Sequence, residues 1–237
     1  MSNSSPDGAT GVTLQNMAHW DSIFRSRGWG RYPPEELVRF VARTFPDQEA
    51  RSGQAALEVG CGPGANLWYL AREGFQLAAI DGSEHGIALA RKRLIAEIPG
   101  GAGQAADLKV GNFASLPWSD RAFDLVIDIE ALSANTSDVV VTTLAEIHRV
   151  LKPGGWFFSK MFGPETSGAT SGHILEPGTT ANPTEGPLEG VGLIHVFTRD
   201  ELSRLFSGFA ELRLDWVHRS DRNGQYSVFE WLVQARK

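Results

Sequence analysis

Apolar and polar positions divide the chain into short strands that alternate with amphipathic helices. Ala55 to Val59, Gln76 to Ile80, Leu108 to Val110 and Phe123 to Ile127 are brief apolar runs, the form of strands buried on both faces of a parallel sheet. Between them apolar residues recur at helical spacing. Leu67, Leu70 and Ala71 mark a helix over 65–73 closed by Gly74, Ile87, Ala90, Leu94 and Ile98 mark one over 84–98, and Val140, Leu144, Ile147 and Leu151 mark a third. Pro33 and Pro34 open an earlier helix whose apolar stripe is Leu37, Val38, Phe40, Val41 and Phe45. After the KPGG turn at 152–155 comes a fifth strand. TRDE at 198–201 reads as a capping box, and Glu211 to Val217 and Ser227 to Gln234 read as two final strands.

Two stretches lack any such period. Residues 1–12 are small and polar, and are expected to form a disordered tail. Residues 163–192 carry eleven Gly or Pro among thirty positions, leaving the fifth strand at the rim where α/β sheets bind ligands. So long an irregular loop is expected to be a flexible lid.

The chemistry centres on ALEVGCGPGAN, residues 56–66, where a strand, a glycine loop and a helix follow one another. Glycines at 60, 62 and 64 allow positive φ and let a ligand approach the main chain. The helix behind them aims free N–H groups at a carboxylate or phosphate, so a nucleotide-bearing small molecule is expected. Gly60, Gly62 and Ala65 also satisfy the dinucleotide fingerprint, and the loop by itself leaves both ligands open.

Further landmarks follow in order: Glu58 before the first glycine, Asp81 after the second strand, FDLVIDIEAL at 123–132 and EIHRVLKPGGWFF at 146–158. With the glycine loop they resemble class I S-adenosylmethionine-dependent methyltransferases, over roughly residues 53–161 and more loosely to the C-terminus. The resemblance implies an α/β three-layer sandwich. Its mostly parallel seven-stranded sheet ends in an antiparallel hairpin and carries helices on both faces. It further implies that Glu58, Gly60, Cys61, Gly62, Gly64, Asn66, Asp81, Gly82, Asn112, Phe113 and Asp128 surround the donor. Asp81 would take the ribose hydroxyls. Asn112 stands where the family usually has Asp; its amide can accept from the adenine amine and donate to the ring nitrogen, with the backbone of Phe113 alongside. By family habit residues 13–50 form a helical lid, and Trp20, Trp29 and Tyr32 roof the acceptor.

Composition narrows the partners. The 237 residues suit one domain, and a net charge of −6 offers no general attraction to nucleic acid. The single cysteine, Cys61, excludes an intrachain disulfide; inside the glycine loop it reads as a small buried side chain. With no leader pattern and no long apolar run, a cytoplasmic monomer or homodimer without a metal is expected. The resemblance implies in-line methyl transfer to a small-molecule O, N or C acceptor. Glu130, Asp128, His195 and His19 are the candidate bases. A protein or nucleic-acid methyltransferase, a non-catalytic binder of S-adenosylmethionine or a dinucleotide, and a dinucleotide oxidoreductase are the rival readings.

Overall fold

The computed structural model describes residues 11–237. The expected disordered tail therefore lies outside the described residues, except that Gly11 and Val12 open a helix instead. The first half of the chain runs α1 (Gly11–Ser26), α2 (Glu35–Thr44), α3 (Gln48–Arg51), β1 (Ala55–Val59), α4 (Ala65–Arg72), β2 (Gln76–Asp81), α5 (Glu84–Glu97), α6 (Ala102–Ala105) and β3 (Asp107–Val110). It continues through β4 (Phe123–Ile129), α7 (Ser137–Val150), β5 (Leu151–Phe162), β6 (His173–Glu176), β7 (Thr179–Ala181), β8 (Leu193–His195), α8 (Arg199–Leu205), β9 (Glu211–Asp221) and β10 (Tyr226–Arg236).

Seven strands pair in the order β3-β2-β1-β4-β5-β10-β9. The first five are parallel, and β10 runs antiparallel to both β5 and β9. This is the sheet and terminal hairpin expected from the sequence. Side chains of β1 alternate between two cores, as the pleat requires. Ala56 packs with Leu37, Phe40, Leu67, Leu70 and Leu94 from α2, α4 and α5. Leu57 and Val59 pack on the opposite face with Val140, Leu144 and Ile147 of α7 and Phe206 beyond α8. Burial on both faces explains why these strands read as continuous apolar runs. Val38, placed in the α2 stripe by its type, is exposed, because Leu37, Phe40 and Val41 already fill the inward arc. Among the described residues no helix is long and apolar enough to cross a membrane.

Chain order reverses direction at β1 and β4, which opens a crevice beyond their carboxyl ends. Two strands that meet there run further than the apolar pattern indicated. β2 includes Asp81, and β4 continues through Asp128 and Ile129.

Residues 163–192, expected as an irregular lid, contain β6 and β7, which join β8 in a separate three-stranded antiparallel sheet. A small core of Ala169, Leu188, Ile194 and Val196 backs it. The Thr166 hydroxyl donates to Phe229 O at 2.9 Å and Ser167 N donates to Ser227 O at 2.9 Å, fastening the segment to β10. No residue of 163–192 lines the ligand crevice.

Candidate active site

β1 delivers the chain into the glycine turn, where Gly60, Gly62 and Gly64 all take positive φ, at 69°, 47° and 81°. Each glycine also admits a close neighbour. A Cβ on Gly60 would stand 2.1 Å from Ala131 Cβ in the turn after β4, and one on Gly62 would stand 3.0 Å from the Phe24 ring of α1. One on Gly64 would meet Ala90 Cβ of α5 at 2.8 Å. Asp81 ties the turn to β2: its Oδ2 accepts from Gly62 N at 2.7 Å and its Oδ1 from Ser83 N at 2.8 Å. Burial raises the Asp81 carboxyl above its ordinary range, against the pull of those two bonds.

The crevice holds a cavity of about 350 Å³. Glu58, 1% exposed, stands in its wall with Oε1 accepting from Asn66 Nδ2 at 2.6 Å, while Oε2 and Asn66 Oδ1 have no partner in the protein. Burial pushes Glu58 well above the usual carboxylate range, and Asp81 and Asp128 add to the effect. An orphaned carboxylate oxygen costs stability unless something occupies the cavity and bonds to it. Gly82, Asn112 and Phe113 extend the same wall, Asn112 Oδ1 also accepting from Ala114 N at 3.0 Å.

Glu130, directly after β4, and Lys160, near the end of β5, line the same cavity. Glu130 is held at φ 68°, an unusual conformation for a residue with a side chain, by its N–H bond to Lys160 O at 2.9 Å. About a third of its side chain is exposed, and the residue lines the cavity. Its carboxyl is pushed up to about 8 by desolvation first and the neighbouring Glu230 second, with Lys160 pulling the other way. α1 closes the cavity with Thr13, Asn16, Met17, Trp20 and Phe24. Its Asp21 fixes it to the start of α5, accepting from Ser83 Oγ at 2.6 Å and His85 N at 2.9 Å. Trp20, Phe24 and Trp29 meet one another at ring separations of 5.5–5.7 Å.

A family model described as a methyltransferase domain matches residues 57–159, from β1 into β5. Over that stretch, somewhat less than half of the chain, the protein is similar to methyltransferase domains. A fatty-acid O-methyltransferase of Mycolicibacterium smegmatis is 33% identical over 151 residues, 58% of this chain and 52% of the relative. The chain thus spans about half the length of that relative. Among solved structures, an S-adenosylmethionine-dependent methyltransferase from Methanosarcina mazei superposes with a TM-score of 0.61 at 25% identity, covering 78% of this chain and 92% of that one. The 1,6-didemethyltoxoflavin N1-methyltransferase of Burkholderia thailandensis shares the fold at 18% identity, with a TM-score of 0.58 over 95% of this chain and 87% of the other. That structure holds 1,6-didemethyltoxoflavin and S-adenosylhomocysteine.

The residues present fit S-adenosylmethionine, the donor expected from the sequence. The unpartnered Glu58 oxygen, the glycine turn and the Asp81 carboxyl face one cavity, and of the eleven positions expected around the donor only Gly64 and Asp128 are absent from its wall. Gly64 serves helix packing against Ala90. Asp128 lies inside β4 rather than beyond it, fully buried, with its carboxyl accepting from Ser159 Oγ at 2.5 Å and Leu132 N at 3.0 Å. It braces the turn that carries Glu130 and does not reach the cavity. Cys61 lines the wall, and burial pushes its thiol far up, which suits a packed side chain and not a nucleophile.

Two of the proposed bases are elsewhere. His195 is fully buried in the small sheet, with Nδ1 2.6 Å from Thr179 Oγ1 and Nε2 2.9 Å from Glu201 Oε1. His19 points away from the cavity toward Gly190 O at 3.2 Å. Trp20, Trp29 and Tyr32 do line it. The sequence reading missed Lys160, Asn16 and Asn135 in the wall and Glu230 behind Lys160. A signal existed for two of them. FFSKMF and VFEWLV each set one charge in an apolar strand, where burial without a partner is costly.

Proposed function

We propose that the protein transfers a methyl group from S-adenosylmethionine to a small, partly apolar acceptor. The observation that carries this reading is the adjacency within one cavity. Glu58 of β1, Asp81 of β2, Glu130 directly after β4 and Lys160 near the end of β5 line it together with aromatic side chains of the N-terminal segment. Bound there, S-adenosylmethionine supplies a methyl group on a cationic sulfur, which the acceptor's lone pair takes while the sulfur keeps its electron pair.

The protein's part is to orient and to manage a proton. Glu58 and Asp81 hold the donor through its amino and ribose groups, and Asn112 and Phe113 bracket the base. α1 and its aromatic residues exclude water from the acceptor side. For a hydroxyl or amine acceptor Glu130 takes the proton, and a carboxyl raised to about 8 is a stronger base than an ordinary one. For a carboxylate acceptor no proton has to leave, and the protonated Glu130 anchors the nucleophile by donating to it. The apolar roof and the fatty-acid relative support an acceptor with a hydrocarbon body.

Incubation with methyl-labelled S-adenosylmethionine and a panel of fatty acids, phenols and small amines, beside tRNA and a protein extract, tests the reading. Label is expected in a small extractable product. Glu130→Gln should slow turnover on a hydroxyl or amine by about 10²–10⁴-fold with donor affinity nearly unchanged. Label entering only RNA or protein would contradict the reading.

A further inference from the structure

Glu130 is one end of a chain of charges that runs across neighbouring strands of the sheet. Lys160 Nζ lies 3.7 Å from Glu130 Oε1 and 3.1 Å from Glu230 Oε1, on the adjoining β10. Glu230 is 1% exposed and does not reach the cavity, whereas Lys160 does. Behind Glu230 stands Arg219 of β9, its Nε 3.9 Å from Oε2 and more than half of its side chain exposed. A buried ion pair contributes little net stability over apolar residues of the same size, so packing gives no reason for a glutamate and a lysine here. What the pair does provide is a cation held at a fixed place beside Glu130.

We propose that Lys160 is a positioning residue for Glu130, steered from outside the cavity by Glu230, so that its ammonium is held at a fixed place beside the Glu130 carboxyl on the acceptor side. This rests on the reading that places Glu130 in the acceptor site. The other ionisable groups around Glu130 are Asp128 in the strand before it and Glu58, Asp81, Cys61 and Tyr32 in the cavity wall. α1 and the turn after β4 bring uncharged side chains, Asn16 and Asn135 among them. Beyond its own burial, Glu130 is therefore tuned by one anion and one cation on neighbouring strands. Removing either should move its titration, and in opposite directions.

The test is the titration of Glu130 followed by carbon-13 NMR of protein labelled at the glutamate carboxyls and saturated with S-adenosylhomocysteine, the signal being the one lost in Glu130→Gln. Glu230→Gln should lower the midpoint by about one pH unit or more, because a like charge is gone and Lys160 is free to turn to Glu130. Lys160→Met should raise it, and Lys160→Arg should leave it near the wild-type position. Lys160→Met leaves the buried Glu230 with only the half-exposed Arg219, 3.9 Å away, and can fail to fold. The double variant Lys160→Met, Glu230→Gln buries no charge at either position, and its midpoint should lie above that of Glu230→Gln alone. Equal midpoints in wild type, Glu230→Gln and the double variant would overturn the proposal. Calorimetry with S-adenosylhomocysteine on the same samples keeps the two readings apart: binding with unmoved midpoints removes the positioning role alone, and absence of binding removes the methyltransferase reading while the Glu130 midpoints still report on its coupling to Lys160 and Glu230.

Discussion

Asp81 shapes the glycine turn and, in the proposed reading, also holds the donor's ribose. Its oxygens already accept from Gly62 N and Ser83 N, which shapes the glycine turn, and each keeps a second lone pair for a ribose hydroxyl. Asp81→Ala should weaken S-adenosylhomocysteine binding at least about tenfold by calorimetry. It should also lower stability by about 1–3 kcal/mol, since two buried N–H groups lose their acceptor. Unchanged affinity with lowered stability would leave Asp81 a turn-former only. Asp128 makes a prediction of the opposite kind. Burial raises its carboxyl to about 7, so the native state binds a proton more tightly than the unfolded chain, whose value is about 3.9. Stability is then lost as pH rises from about 4 through about 7. Asp128→Asn removes that loss, so the difference in thermal midpoint between variant and wild type should shift in the variant's favour across this window; a pH-independent difference would contradict it. From the sequence, Asp128 and Glu130 looked like neighbours at one strand end. Two further residues of strand turned the first into the core and left the second at the rim, a distinction that apolar periodicity does not carry.

Elements with a strong period were legible: β1, β2, β4, α4, α5 and α7 all lie where apolar spacing put them, because each buries a face wide enough to impose a pattern. β6 and β7 were not. They are four and three residues long, and His173, Ile174 and Leu175 on β6 are exposed, so backbone pairing and ties to the distant β10 hold them without a local apolar signature. Lys160 and Glu230 escaped for a related reason, since only the antiparallel register of β5 with β10 brings them together. The α4–α5 contact carries a prediction of its own. Gly64→Ala puts a methyl group against Ala90 and forces a φ near 81° on an L-residue. The loss should be about 2 kcal/mol or more by chemical denaturation, with donor affinity affected far less than in Asp81→Ala. A large affinity loss without destabilisation would return Gly64 to the donor site.

At the scale of the molecule, the crevice exists because chain order reverses between β1 and β4, and each wall is built from strand ends that the reversal brings side by side. In the proposed reading Glu58 and Asp81 serve the donor and Glu130 and Lys160 the acceptor, and α1, which lines the same cavity, is held by the Asp21 contact with Ser83 and His85. The rival reading of the glycine loop as a dinucleotide site makes use of neither the unpartnered Glu58 oxygen nor the carboxyl at 130. Calorimetric titration of the intact protein with S-adenosylhomocysteine, and separately with NAD, tests this account most directly. Saturable one-to-one binding of S-adenosylhomocysteine with none of NAD is predicted; binding of NAD, or no heat with S-adenosylhomocysteine from a folded sample, would contradict it.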